Sequence, residues 1–202
     1  MTRTLAWAFE EPPSQVLGRV DRAMADLHAT TLATALLARL EQTEEDARTG
    51  QRRLRWTSAG HLPPLVLHPD GTAELLPGRS DLLLGVDARS PRRDHTALLP
   101  PGSTLVLYTD GLVERRDRTL TTTLEALRTA AVRHAGLGLP ELVDALLHDM
   151  TRLPRDGDVG GAGGHGAGPQ RGRDHDDDVA VLAVRLHPED RPRPPEAGPS
   201  HL

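Results

Sequence analysis

The chain of 202 residues contains no cysteine. Disulfide staples and thiolate zinc sites are therefore excluded, and the composition fits a reducing cytoplasm. Lysine, isoleucine and asparagine are absent too, so arginine supplies all the fixed positive charge. The codons of those three residues are rich in A and T, which points to a GC-rich bacterial genome. Aromatic residues make up only 2% of the chain, so any core rests on Leu, Val and Ala. No apolar run approaches the ~20 residues of a membrane-spanning helix, and no signal peptide precedes the first periodic segment. A net charge of −5 offers no electrostatic case for nucleic acid. The length allows one substantial core and a tail, and no internal repeat is evident.

What is present alternates between helical and strand patterns. Glu10 to Leu27 predicts a helix, entered at Pro12 and Pro13, with Val16, Leu17, Val20, Met24 and Leu27 on one face. Thr31 to Leu40 fits helix or strand, because Ala and Leu also favour helix. Glu41 to Gln51 reads as a polar turn. Arg53–Thr57, Pro64–His68 and Thr72–Leu76 read as strands of one meander, the last two joined by the turn Pro69-Asp70-Gly71. Residues 79–94 read as a loop with a short strand around Leu82 to Gly85. Leu120–His134 and Pro140–Leu153 predict two helices, with Leu124, Leu127 and Ala131 inward on one and Leu142, Val143, Leu146, Leu147 and Met150 on the other. Residues 156–173 are Gly-rich. The Pro-rich polar stretch 187–202 is expected to be a disordered tail.

The most informative stretch is Leu105-Val106-Leu107-Tyr108-Thr109-Asp110-Gly111. It reads as a buried strand that ends on a carboxylate, followed by a glycine that lets another group come close. A second stretch answers it. Asp176-Asp177-Asp178 runs directly into the apolar strand Val179 to Val184. If the two strands are antiparallel neighbours, Asp110 and Asp177 converge at one rim of a sheet. Paired hard oxygens there suit Mg²⁺ or Mn²⁺ rather than zinc. Taken alone, Asp110 is equally consistent with a turn cap, and acids 174–178 with solvated charge. His61 has the chemistry of a general acid, but its place after Ala59-Gly60 assigns it to organising a loop. Gly164-His165-Gly166 is low complexity, with no amphipathic helix after it.

Four segments carry a resemblance. They are Ala35 to Leu40, Ser58-Ala59-Gly60-His61-Leu62-Pro63-Pro64-Leu65, Leu99-Pro100-Pro101-Gly102 through Tyr108-Thr109-Asp110-Gly111-Leu112-Val113-Glu114, and Asp177-Asp178-Val179. In this order they resemble the bacterial PPM-type, SpoIIE/RsbU-like, metal-dependent serine/threonine protein phosphatases. The resemblance implies an α/β fold, a two-sheet sandwich flanked by helices, over residues 1–186. It implies two ions, Mn²⁺ or Mg²⁺, with Asp110 and Asp177 among their ligands. Asp178 is the neighbouring alternative, Gly111 permits close packing, and Glu114 packs or hydrogen-bonds nearby. Water would attack phosphorus in line, with no covalent phosphoenzyme. The implied substrate is a phosphorylated regulatory protein such as an anti-sigma factor antagonist, and the resemblance allows a sensor domain upstream in a longer gene product.

The family's first metal-binding segment, with its Gly-Asp pair and Gly-His-Gly turn, has no match near Met1. The expectation is thus a domain lacking its N-terminal part, with an annotated start inside a longer gene. The competing expectation is a truncated, non-catalytic pseudophosphatase or protein-binding remnant, since ligand number sets affinity for hard cations.

Overall fold

The computed structural model describes residues 11–153 and 178–187. Asp177, the stretch around His165 and the tail after His187 lie outside the described residues. The chain divides into two compact units. The first comprises residues 1–63, 76–104 and 185–202, and the second residues 64–75 and 105–184.

The first unit opens with α1 (Pro13–Asp26), where proline sits at the start as its fixed φ allows. No side chain of Pro12 can cap this helix. Asp94 does it from a distant loop, accepting from the Ser14 N–H at 2.8 Å and the Ser14 hydroxyl at 2.7 Å. Val16 and Leu17 are buried on the inner face, but Leu27 is exposed beyond the helix end, against the expectation that it joins that face. The helix packs on β1 (Ala35–Glu41) and β2 (Arg52–Ala59). Leu17, Ala59 and Leu84 form a small cluster there with Val20, Met24, Ala33 and Ala35 packed around it.

Residues 41–51 are more than a turn. They hold α2 (Glu44–Arg48), one turn long and closed by a capping box. Thr43 Oγ1 accepts from the Asp46 N–H at 3.1 Å and Asp46 Oδ2 from the Thr43 N–H at 3.0 Å. The motif Thr43-Glu44-Glu45-Asp46 carries that signal, with Asp in place of the usual Glu.

The expected meander is split between two sheets. β2 lies in the middle of a three-stranded sheet, between β1 and β5 (His95–Leu99). Both pairings are antiparallel, with Leu54 facing Leu40 on one side and Ala97 on the other. Both edges of β2 are therefore occupied, and β3 (Leu65–Leu67) has no edge of it to join. The chain turns away at Gly60, where φ is +69° and a Cβ would lie 2.8 Å from Leu83 Cγ. The short strand expected around Leu82 to Gly85 is a single bridge, Ala33 to Leu84.

In the second unit, β3 pairs antiparallel with β4 (Ala73–Leu75) across the expected turn, where Asp70 Oδ1 accepts from the Thr72 N–H at 2.9 Å. The sheet order is β4-β3-β6-β7, with β6 (Thr104–Tyr108) and β7 (Val181–Arg185) completing it. All three residues of β3 are buried, as a central strand covered on both faces requires. The helices α3 (Leu120–Arg133) and α4 (Leu139–Thr151) pack on each other, and α3 also on β3 and β4. Their buried residues include Leu127 and Ala131, and Leu142, Leu146 and Met150, as the periodicity predicts. The fold is thus mixed α/β with two antiparallel sheets and attendant helices. No described helix is long and apolar enough to cross a membrane.

Candidate functional site

The site is built at the end of β6. Leu105, Val106 and Tyr108 of this strand are buried, and burial pushes the Tyr108 phenol well above its usual pKa. After Thr109 the chain tightens into a 3-10 turn over Asp110–Leu112. The Val113 and Glu114 N–H groups both donate to the Asp110 carbonyl, at 2.8 and 2.7 Å. Leu112 and Val113 then enter the core and anchor the turn from below. Asp110 is thus held by a rigid strand on one side and a buried turn on the other.

The carboxylate of Asp110 is half-buried. Its Oδ1 accepts from the Gly111 N–H at 3.0 Å, and among the described residues no donor reaches Oδ2. Oδ1 thus serves the turn, as the cap reading of the Asp-Gly pair has it. Gly111 is buried, so the backbone passes close beneath the carboxylate. Glu114 is exposed, and its N–H closes the turn.

The Asp-Asp-Val segment enters through its last acid. Thr109 Oγ1 donates to the Asp178 carbonyl at 2.9 Å and accepts from the Ala180 N–H at 2.9 Å. The Thr109 N–H donates to the Ala180 carbonyl at 3.0 Å. Three hydrogen bonds thus lock residues 178–180 onto the residue preceding Asp110. Asp178 itself is exposed, and Asp177 lies outside the described residues. Thr109 is the working residue that sequence reasoning missed. The available signal was a hydroxyl side chain at a strand end, which can bond backbone of a neighbouring segment as readily as its own.

His61 belongs to the first unit. Its carbonyl accepts from Ser58 Oγ at 3.0 Å, in a loop where the Gly60 N–H donates to the Asp81 carbonyl at 3.0 Å. Among the described residues no three histidine, aspartate or glutamate side chains converge as a metal site would require. Asp110 supplies one hard oxygen of the kind Mg²⁺ and Mn²⁺ take, and the described residues by themselves do not complete a coordination shell.

Comparison with known proteins agrees with this architecture. The family model for stage II sporulation protein E (SpoIIE) matches residues 1–187. Among solved structures, the RsbU and RsbW domains of a Mycobacterium tuberculosis protein superpose with a TM-score of 0.68 at 24% identity, over 96% of this chain and 46% of that one. The SiaA-PP2C domain of Pseudomonas aeruginosa superposes with a TM-score of 0.63 at 20% identity, over 91% of this chain and 64% of that one. RsbX in complex with magnesium gives 0.50 at 19% identity, over 74% and 64%. At these identities the likeness is one of fold. The chain spans between about half and two thirds of the length of these structures. No curated protein matches it in sequence.

Proposed function

Because the chain belongs to the SpoIIE family of PPM-type phosphatases, we propose that it hydrolyses phosphoserine or phosphothreonine on a regulatory protein, using divalent metal ions. The observation that carries this reading is Asp110, a carboxylate fixed just past a strand end, with no donor to Oδ2 among the described residues. Asp110 and Asp177 are the ligands we assign, with Asp178 the alternative to the second. The three bonds from Thr109 to residues 178–180 support that pairing, since they tether the acidic segment beside the β6 end. Magnesium held by RsbX supports a hard divalent ion. Such ions supply positive charge against phosphoryl oxygens and lower the pKa of bound water. The protein's own part is positioning. The Gly111 N–H orients the carboxylate through Oδ1.

The substrate we favour is a phosphorylated anti-sigma factor antagonist, acted on in the cytoplasm by a domain spanning residues 1–186, with residues 187–202 as a tail. The test is phosphate release from a phosphoserine protein by the full chain with Mn²⁺ or Mg²⁺. Asp110→Asn keeps the shape but loses the charge. It should lower turnover by roughly a hundredfold or more, since even outer partners of metal ligands are worth roughly 10–100-fold. Turnover that persists in chelator, or in the Asp110→Asn protein, would sink this mechanism.

A second reading, a non-catalytic binding module, is favoured by one observation. Among the described residues no group of three acids or histidines converges at Asp110 or elsewhere. Calorimetric titration with Mn²⁺ separates the two. Metal binding with turnover supports the phosphatase, and neither property supports the module.

A further inference from the structure

A second site lies in the first unit, away from any residue assigned above. A pocket of about 520 Å³ opens between the first half of α1 and the loop 88–92. Four arginines line it, Arg19, Arg22, Arg89 and Arg92, and no carboxylate does. The surrounding acids are already engaged. Glu11 pairs with Arg19, and Asp94 caps α1 through Ser14. Asp87 accepts from the Arg89 N–H at 2.9 Å. Asp21 accepts from the Arg92 guanidinium at 2.6 Å and the Gly85 N–H at 2.8 Å. By contrast, the side chains of Arg22 and Arg89 have no ion-pair partner among the described residues. Two guanidinium groups without an ion-pair partner thus share one concave, solvent-facing place.

One feature separates this pocket from an ordinary solvated patch of arginines. The Arg92 side chain is only 2% exposed, and its Nε is buried with no acceptor. That guanidinium is held from behind by the Asp21 carboxylate and the Leu82 carbonyl, so this wall of the pocket is fixed. Arginine offers planar forks that match the oxygens of phosphate. The volume exceeds what a bare ion needs and admits a phosphate carried on a small group.

We propose that this pocket is a binding site for a phosphate group, as the free dianion or a phosphate monoester, recognised by Arg22 and Arg89 at its mouth, against the wall that Arg92 fixes in place. It holds no carboxylate and so no ligand for a metal. Its role is binding, and it stands whether or not Asp110 acts in catalysis.

The test is calorimetric titration of the full chain with inorganic phosphate and, separately, with phosphoserine. Both are run in chelator at constant ionic strength, so that the Asp110 region contributes nothing through a metal. Saturable one-to-one binding is expected. The double variant Arg22→Gln/Arg89→Gln should weaken it by about tenfold or more, since the charge-assisted hydrogen bonds of both guanidinium groups are lost. Both arginines face solvent, so the variant should keep the wild-type circular dichroism and unfolding midpoint. Tighter binding of phosphoserine assigns the monoester, and tighter binding of inorganic phosphate assigns the free ion. The proposal is overturned if neither probe saturates, if chloride reproduces the heat, or if the folded double variant binds as the wild type does.

Discussion

On the buried face of α1, between Leu17 and Met24, stands Asp21, whereas the buried residues of α4 are Leu142, Leu146 and Met150 without a charge among them. The same contrast runs through the two units. Among the described residues, six of the eight buried polar residues, Asp21, Asp46, Thr57, Ser58, Ser103 and Thr104, belong to the first unit, and Arg115 and Thr123 to the second. The first unit ties distant segments together through charge. Asp21 binds Arg92, 71 residues away, and Ser14 binds Asp94, 80 residues away. The second unit stacks two amphipathic helices whose apolar faces need only be apolar and of suitable volume. A charge-held region specifies particular partners but is intolerant of losing one. A hydrocarbon-held region spreads its stabilisation over many contacts.

The comparison can be broken most directly at Asp21. Removing it by Asp21→Ala leaves the Arg92 guanidinium buried and unpaired, and the loss should be about 3–5 kcal/mol. Urea unfolding measures it. A loss below about 1 kcal/mol would mean that the first unit does not depend on its buried charge.

The counterpart in the second unit is Leu146→Ala. Leu146 is fully buried in α4, and the truncation should cost about 2–4 kcal/mol through lost transfer energy and a partly relaxed cavity. If this variant proves markedly more damaging than Asp21→Ala, the ranking of the two regions is reversed. Differential scanning calorimetry on both variants decides it.

The smallest effect, and the one that depends on pH, concerns Asp46. The Arg53 guanidinium first, and the Thr43 N–H and hydroxyl next, hold its pKa at about 2 against an ordinary 3.8. A depressed native pKa means that the folded state favours the charged form. The contribution is therefore complete above 3.8 and fades as pH falls toward about 2. Asp46→Asn should be less stable than wild type at neutral pH, with a gap that closes on acidification through that window. A gap independent of pH would show that the carboxylate charge is irrelevant to the capped turn.

Much of the second unit was legible because its signals are local. The faces of α3 and α4 recur every three to four residues, the turn at Asp70-Gly71 is a two-residue signature, and the apolar run ending at Asp110 declares a strand. The strand is as the sequence predicts, but it ends at Tyr108, two residues before the acid, which opens a 3-10 turn instead. That Thr109 would hook residues 178–180 was not legible, because the partner lies 69 residues away and any hydroxyl could have served. The first unit was read less well. Residues 41–51 looked like a turn because a one-turn helix has no room for periodicity, and only its capping box marks it. Spacing alone places Leu27 on the buried face, but the helix stops one residue short of it.

By itself, then, the chain determined the absence of disulfides, the Leu-, Val- and Ala-based core, the two amphipathic helices of the second unit and the acid at the end of β6. These follow from composition and from interactions that span one or two turns. Only the tertiary structure decided that β2 and β3 would part into separate sheets, that Asp94 would cap α1, and that Arg92 would be buried against Asp21 beside two unpaired arginines. Each of those outcomes depends on which segments compete for an edge or a charge at long range. That competition is settled by the geometry of the whole chain, which no short window of residues contains.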